Sequence, residues 1–103
     1  MNIESLAAPE KGENRRYEHE RIHVIVSYAA AVRPYNTEVA ETTTVGEIKT
    51  ATLKAFGLQE TPTKIFKLFH GGTELTNMGE TVGQVAHHHK ELALKLEEVI
   101  IQG

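Results

Sequence analysis

The chain has 103 residues, of which 40% are hydrophobic and 24% charged, a length and balance that suit one small globular domain. It contains no cysteine and no aspartate, and its two serines, Ser5 and Ser27, lie outside any nucleophile-elbow pattern; disulfides, thiolate chemistry, cysteine-held metals, a Ser–His–Asp triad and ordinary EF-hand loops are thereby excluded. A net charge of −3 and a pI near 6.1 argue against a nucleic-acid binder, and no run approaches the roughly 18 apolar residues of a membrane helix, so a cytoplasmic protein, monomeric when free and without a cofactor, is expected.

Residues 1–20 are rich in charge (Glu4, Glu10, Lys11, Glu13, Arg15, Arg16, Glu18, Glu20) and poor in large apolar groups. They have neither a basic start nor an apolar stretch of a secretory signal. Such a composition cannot offset chain entropy by burial, and a flexible arm is expected there, either a docking tail or a solvated extension.

The folded part is expected over 21–96. Ile22, Val24 and Val26 alternate along a first strand, and Tyr35–Ala40 follows closely enough to pair with it as a hairpin. Pro34 suits the start of that second strand. Thr44-Val45-Gly46-Glu47 reads as a capping box, in which the Thr44 hydroxyl accepts from the Glu47 N–H while Glu47 reaches back. Val45, Ile48, Thr52, Ala55 and Phe56 form the buried stripe of the helix that follows, with Lys49 and Lys54 outside and Leu53 off the stripe. Gly57 ends it in the left-handed region. Ile65–His70 reads as a third strand, Gly71-Gly72 as a turn with positive φ, and Thr73–Leu75 as a short fourth strand. Thr81–Val85 suggests one helical turn. In the last strand, Glu91–Leu96, the residues Leu92, Leu94 and Leu96 share one face. One main helix packed on a mixed sheet of four to five strands is an α+β, two-layer solution.

His87-His88-His89 is expected to be a solvated loop: in an extended segment only His87 and His89 share a face, and no further ligand pattern completes a metal site. Gly71-Gly72 lacks the lysine and serine of a phosphate loop. Lys49, Lys54 and Lys64 are candidate acceptors if the protein itself is modified, or simply solubilising charges.

Three stretches, in this order and spacing, resemble ubiquitin and its β-grasp relatives over about residues 22–96. They are Tyr35–Val39 followed by Thr44–Lys49; Lys67-Leu68-Phe69-His70-Gly71-Gly72-Thr73-Glu74-Leu75; and Leu92–Leu96 leading into an extended tail, 97–103. The resemblance implies a protein modifier rather than an enzyme. An activating enzyme would adenylate the carboxylate of Gly103, with Glu97, Glu98, Val99, Ile100, Ile101 and Gln102 recognised as the tail. It also implies a partner-binding patch on the open sheet face: Phe69 in the place of ubiquitin's central isoleucine, with Ala93 and Lys95 on the neighbouring strand. The sequence departs from ubiquitin in its single terminal glycine, in Gln102 where ubiquitin has another glycine, and in Thr73 at ubiquitin's best-known chain-forming lysine. These departures look more like bacterial ubiquitin-like proteins encoded beside an activating enzyme, a conjugating enzyme and a JAMM-type peptidase, often in antiphage operons. Two other functions stay open: a sulfur carrier working through a C-terminal thiocarboxylate, and a noncovalent adaptor working through Phe69.

Overall fold

The computed structural model describes residues 21–102. The expectations for the arm, 1–20, and for Gly103 fall outside them. Seven elements follow in order: β1 (Arg21–Tyr28), β2 (Tyr35–Ala40), α1 (Val45–Phe56), β3 (Lys64–His70), β4 (Thr73–Glu74), α2 (Val82–Ala86) and β5 (Glu91–Ile100). The five strands make one mixed sheet in the order β2-β1-β5-β3-β4. β1 and β5 run parallel at its centre, Val24 opposite Leu92 and Val26 opposite Leu94, and the remaining pairs are antiparallel.

Strand alternation sends one side of the sheet into the core. Ile22, Val24 and Val26 from β1, Phe66 and Leu68 from β3, and Leu92, Leu94 and Leu96 from β5 are all buried. The helices cover them with Val45, Ile48, Val82, Val85 and Ala86. Tyr28, Phe56 and Phe66 close one end of the core, with the Tyr28 ring centroid 5.5 Å from Phe56 and 6.1 Å from Phe66.

α1 begins at its capping box as expected. Thr44 Oγ1 accepts from the Glu47 N–H at 3.2 Å, and Glu47 Oε1 accepts from the Thr44 N–H at 2.9 Å. Gly57 ends it with φ of +70°. The buried stripe differs at one edge from the sequence reading: Ala55 is exposed, whereas Leu53 packs half-buried against the core. The longer side chain reaches the sheet from the flank, and a methyl group cannot. Thr52 is fully buried and donates its hydroxyl to the Ile48 carbonyl at 2.7 Å, which removes the cost of an unpaired polar group.

The first N–H groups of a helix lack partners within it. Here two helix starts supply each other. Val45 and Gly46 donate to the carbonyls of Glu80 and Met78, while Val82 and Gly83 donate to those of Thr43 and Glu41, at 2.7 to 2.9 Å. Thr81 and Gln84 repeat the capping box at α2. Gly83 is required for this approach, since a Cβ there would stand 2.9 Å from the Glu41 Cβ.

Two sequence expectations need correction. His87-His88-His89 is not extended: His87 and His88 both adopt left-handed φ, 52° and 65°. Their N–H groups donate back to Gln84 and Gly83, so the run closes the C-terminus of α2. And β5 does not stop at Leu96. It continues through Ile100, so that Glu97, Glu98, Val99 and Ile100, assigned from sequence to the tail, lie in the sheet opposite Lys67, Phe66, Ile65 and Lys64. The reason is that β3 extends far enough to pair with them, although the two glutamates interrupt the apolar alternation that marks the first half of the strand.

Candidate functional site

The side of the sheet that faces away from the helices carries the odd-numbered residues of β1, β3 and β5. On β5 these are Glu91, Ala93, Lys95, Glu97 and Val99; on β3, Ile65, Lys67 and Phe69; on β1, His23, Ile25 and Ser27. The register brings the three expected patch residues together. Phe69 stands directly opposite Lys95, and Ala93 lies one step along the same face, diagonal to Phe69. Phe69 is half-buried, while Ala93 and Lys95 are exposed.

Ile25, opposite Ala93 on β1 and half-buried, is a third apolar residue of the patch, one that the sequence reading missed. Its signal was present: β1 reads Val24-Ile25-Val26, with an apolar residue at an outward position between two inward ones. An apolar Ile25–Ala93–Phe69 diagonal, half-buried at its two ends and exposed at Ala93, therefore crosses three strands.

Charges border it. Lys95 Nζ lies 3.3 Å from Glu97 Oε2, and Lys67 Nζ lies 3.5 Å from Glu74 Oε2. Near the start of β1, His23 Nε2 meets Asn36 Oδ1 at 3.0 Å, and its Nδ1 lies 3.8 Å from Glu91. An apolar strip bordered by ion pairs of both signs can hold a partner by burial, with the rim fixing orientation. At the other end of the same face Ile65 and Val99 form a second apolar pair, separated from the first by the Lys67–Glu97 row.

The expected tail divides in two. Glu97 to Ile100 belong to β5, and the Ile101 N–H donates to the Thr63 carbonyl at 2.7 Å, leaving Gln102 as the last described residue. On the inner side Glu98 Oε1 accepts from the Tyr28 hydroxyl at 3.3 Å. Desolvation, and then the Glu98 charge, hold the Tyr28 phenol above its ordinary range.

Opposite this segment, on the outer edge of β3, Glu60 takes the Phe66 N–H at 2.8 Å and Lys49 Nζ at 3.0 Å. The backbone hydrogen bond, followed by the lysine, holds the Glu60 carboxyl below the usual range. This bridge gives Lys49, a candidate acceptor, a structural role.

An open groove of about 310 Å³ between β4 and α2 contains His70 and His87 in its lining. Among the described residues, however, no group of three or more histidine or acidic side chains could hold a metal ion. Nor is any described helix long and apolar enough to cross a membrane.

Neither protein-family models nor curated proteins match the sequence. Solved structures do. The ubiquitin of Caldiarchaeum subterraneum aligns at 21% identity over 81% of this chain and 99% of its own, with a TM-score of 0.63. The chain has the ubiquitin-like β-grasp fold. A structure described as molecular mimicry of SUMO that promotes DNA repair aligns at 13% identity over 77% of this chain and 92% of its own, with a TM-score of 0.60. A ubiquitin-like domain from Arabidopsis thaliana aligns at 24% identity, covering 76% of this chain and 77% of its own, with a TM-score of 0.53.

Proposed function

We propose that this ubiquitin-like protein is a modifier joined to its targets through Gly103. The observation that carries the reading is the position of β5: the central strand of a ubiquitin-like sheet leads, through Ile101 and Gln102, to a glycine. Glycine lacks a Cβ, so its carbonyl is unhindered and its segment can thread a narrow channel. In the reaction the Gly103 carboxylate attacks the α-phosphate of ATP and displaces pyrophosphate. An enzyme thiolate then takes the acyl group and releases AMP, and a target amine takes it from the thioester to form an amide. The protein contributes shape and a carboxylate, while catalysis belongs to its partners.

Those partners are an activating enzyme, a conjugating enzyme and a JAMM-type peptidase of a bacterial, cytoplasmic pathway, with antiphage defence as its role. Glu97 to Gln102 form the recognised segment, and its two acids call for a basic surface on the activating enzyme. Phe69, Ala93, Lys95 and Ile25 form a second, noncovalent contact. That patch also favours a second reading, an adaptor that binds through the sheet face and leaves Gly103 unreacted.

Denaturing, reducing mass spectrometry of N-terminally tagged protein from its own cells tests the choice, beside a Gly103-deleted control. Adducts that survive boiling and vanish in the control are the expected result. A free chain heavier by one sulfur-for-oxygen exchange would instead mark a sulfur carrier. If only the unmodified chain is found and Phe69→Ala abolishes partner capture, the adaptor reading replaces the modifier.

A further inference from the structure

β5 changes its surroundings at Leu96. Up to that residue it pairs with β1, in parallel register from His23–Glu91 to Tyr28–Leu96, and β3 joins it on the other side from Lys95 onward. From Glu97 to Ile100 the register pairs it with β3 alone. The side chains change at the same place: Leu92, Leu94 and Leu96 are buried, Glu98 is exposed, and Ile100 is 58% exposed.

The bond from the Ile101 N–H to the Thr63 carbonyl sets the pattern of this ladder. Hydrogen-bonded and non-hydrogen-bonded pairs alternate in an antiparallel sheet, so Val99–Ile65 and Glu97–Lys67 are bonded pairs, and Ile100–Lys64 and Glu98–Phe66 are not. The Phe66 N–H accordingly points away from β5, to Glu60. β3 also has support of its own on that far edge, where Thr61 and Lys64 exchange backbone bonds and Glu60 bridges to Lys49.

We propose that residues 97–101 are a latch. In the free protein it is closed on β3; it unzips back to Leu96 while the rest of the domain stays folded, releasing the segment to extend into a partner's channel. The inference takes its purpose from the modifier reading, but its mechanics are independent of it. In the modifier reading, with the latch closed, the reacting carboxylate of Gly103 stands two residues past the Ile101–Thr63 bond, a reach of about 7 Å at extended-chain spacing. An active site that surrounds both a carboxylate and ATP needs the segment to stand farther off the domain. Unzipping five more residues adds about 17 Å. The opening breaks the one-sided ladder, the Tyr28–Glu98 bond and the Ile65–Val99 contact, and it leaves every buried core residue in place.

Amide hydrogen exchange of the free full chain, read by NMR, tests this. Val99 and Ile101 are expected to exchange at least about a hundredfold faster than Lys95, with little response to denaturant, as local opening requires. Lys95 should instead follow global unfolding. Equal protection and equal denaturant dependence at all three amides would overturn the latch.

A second arm uses Lys64→Cys/Ile100→Cys. The pair is non-hydrogen-bonded, its spacing suits a disulfide, and the chain has no other cysteine. Oxidation should slow Val99 exchange to within about tenfold of Lys95, and reduction should restore it. Protection of Lys95 in the reduced protein shows that the variant folds. Val99 exchange that is unmoved by the crosslink would overturn the proposal. Fast, crosslink-sensitive exchange with no conjugation in cells would leave the latch standing and remove the modifier reading; slow exchange with normal conjugation would do the reverse.

Discussion

The two halves of β5 share a backbone conformation and differ in almost everything else. Glu91 to Leu96 pairs with β1 throughout and sends three leucines into the core, whereas Glu97 to Ile100 pairs with β3 alone and ends in exposed side chains. A strand assignment treats them as one element. Burial and the identity of the neighbouring strand divide them into a half that holds the domain together and a half that it can release.

Several substitutions would break or sharpen that division. The largest effect is expected at Leu94→Ala, which leaves a cavity between sheet and helices and should cost about 3 kcal/mol in a denaturant melt. Ile100→Ala should change the same melt by less than about 0.5 kcal/mol. Comparable losses from the two would mean that β5 is one mechanical unit after all.

Gly83→Ala comes next. Its methyl would meet the Glu41 Cβ at 2.9 Å and the Glu41 carbonyl at 3.1 Å, forcing α2 away from the loop it faces. About 2 kcal/mol of stability should be lost. Exchange at Leu92 and Leu94 should rise with that loss, while Val99, already opening locally, stays as it was.

Glu60→Gln keeps the shape of the brace on β3 and removes its charge, with an expected cost of about 1 kcal/mol near neutral pH. Because folding lowers the Glu60 pKa, the stability it supplies is present above the ordinary carboxylate range and is lost as pH falls through the folded value. The variant should therefore lose less stability on acidification than the parent, measured as the denaturation midpoint across pH.

Tyr28→Phe should have the smallest effect: a global melt unmoved at neutral pH, with faster exchange confined to the released half. Folding raises the Tyr28 pKa above 10.0, so stability of the parent should decline as pH rises past that value, and the variant should lack this part of the alkaline slope. Phenolate absorbance follows the titration directly.

Local rules made most of the domain readable in sequence. The Thr44–Glu47 box, Gly57 and the Gly71-Gly72 turn depend on neighbours a few residues away, and each lies where those rules put it. The second half of β5 depends on a partner far along the chain. Its Glu97-Glu98 pair breaks the alternation, and only the presence of β3 beside it makes a strand of these residues. The histidine run is exposed as expected, and only its backbone was misread, because nothing within it announces that His87 and His88 terminate a helix in left-handed conformations. At the candidate site, Phe69, Ala93 and Lys95 were legible through the resemblance to ubiquitin. Ile25 was passed over although the alternation of Ile22, Val24 and Val26 turns it to the opposite face, because the resemblance to ubiquitin supplied patch positions only on β3 and β5.

The central place of β5 also bears on how the domain is made. Without that strand, the sheet order β2-β1-β5-β3-β4 falls into two separate hairpins, β1–β2 and β3–β4, with no hydrogen bond of the sheet joining them. A ribosome delivers β5 last of the seven elements. Until it emerges, the nascent chain holds both halves of a core with exposed inner strand edges and nothing to join them. The domain therefore completes its fold only after the chain through β5 has cleared the exit tunnel.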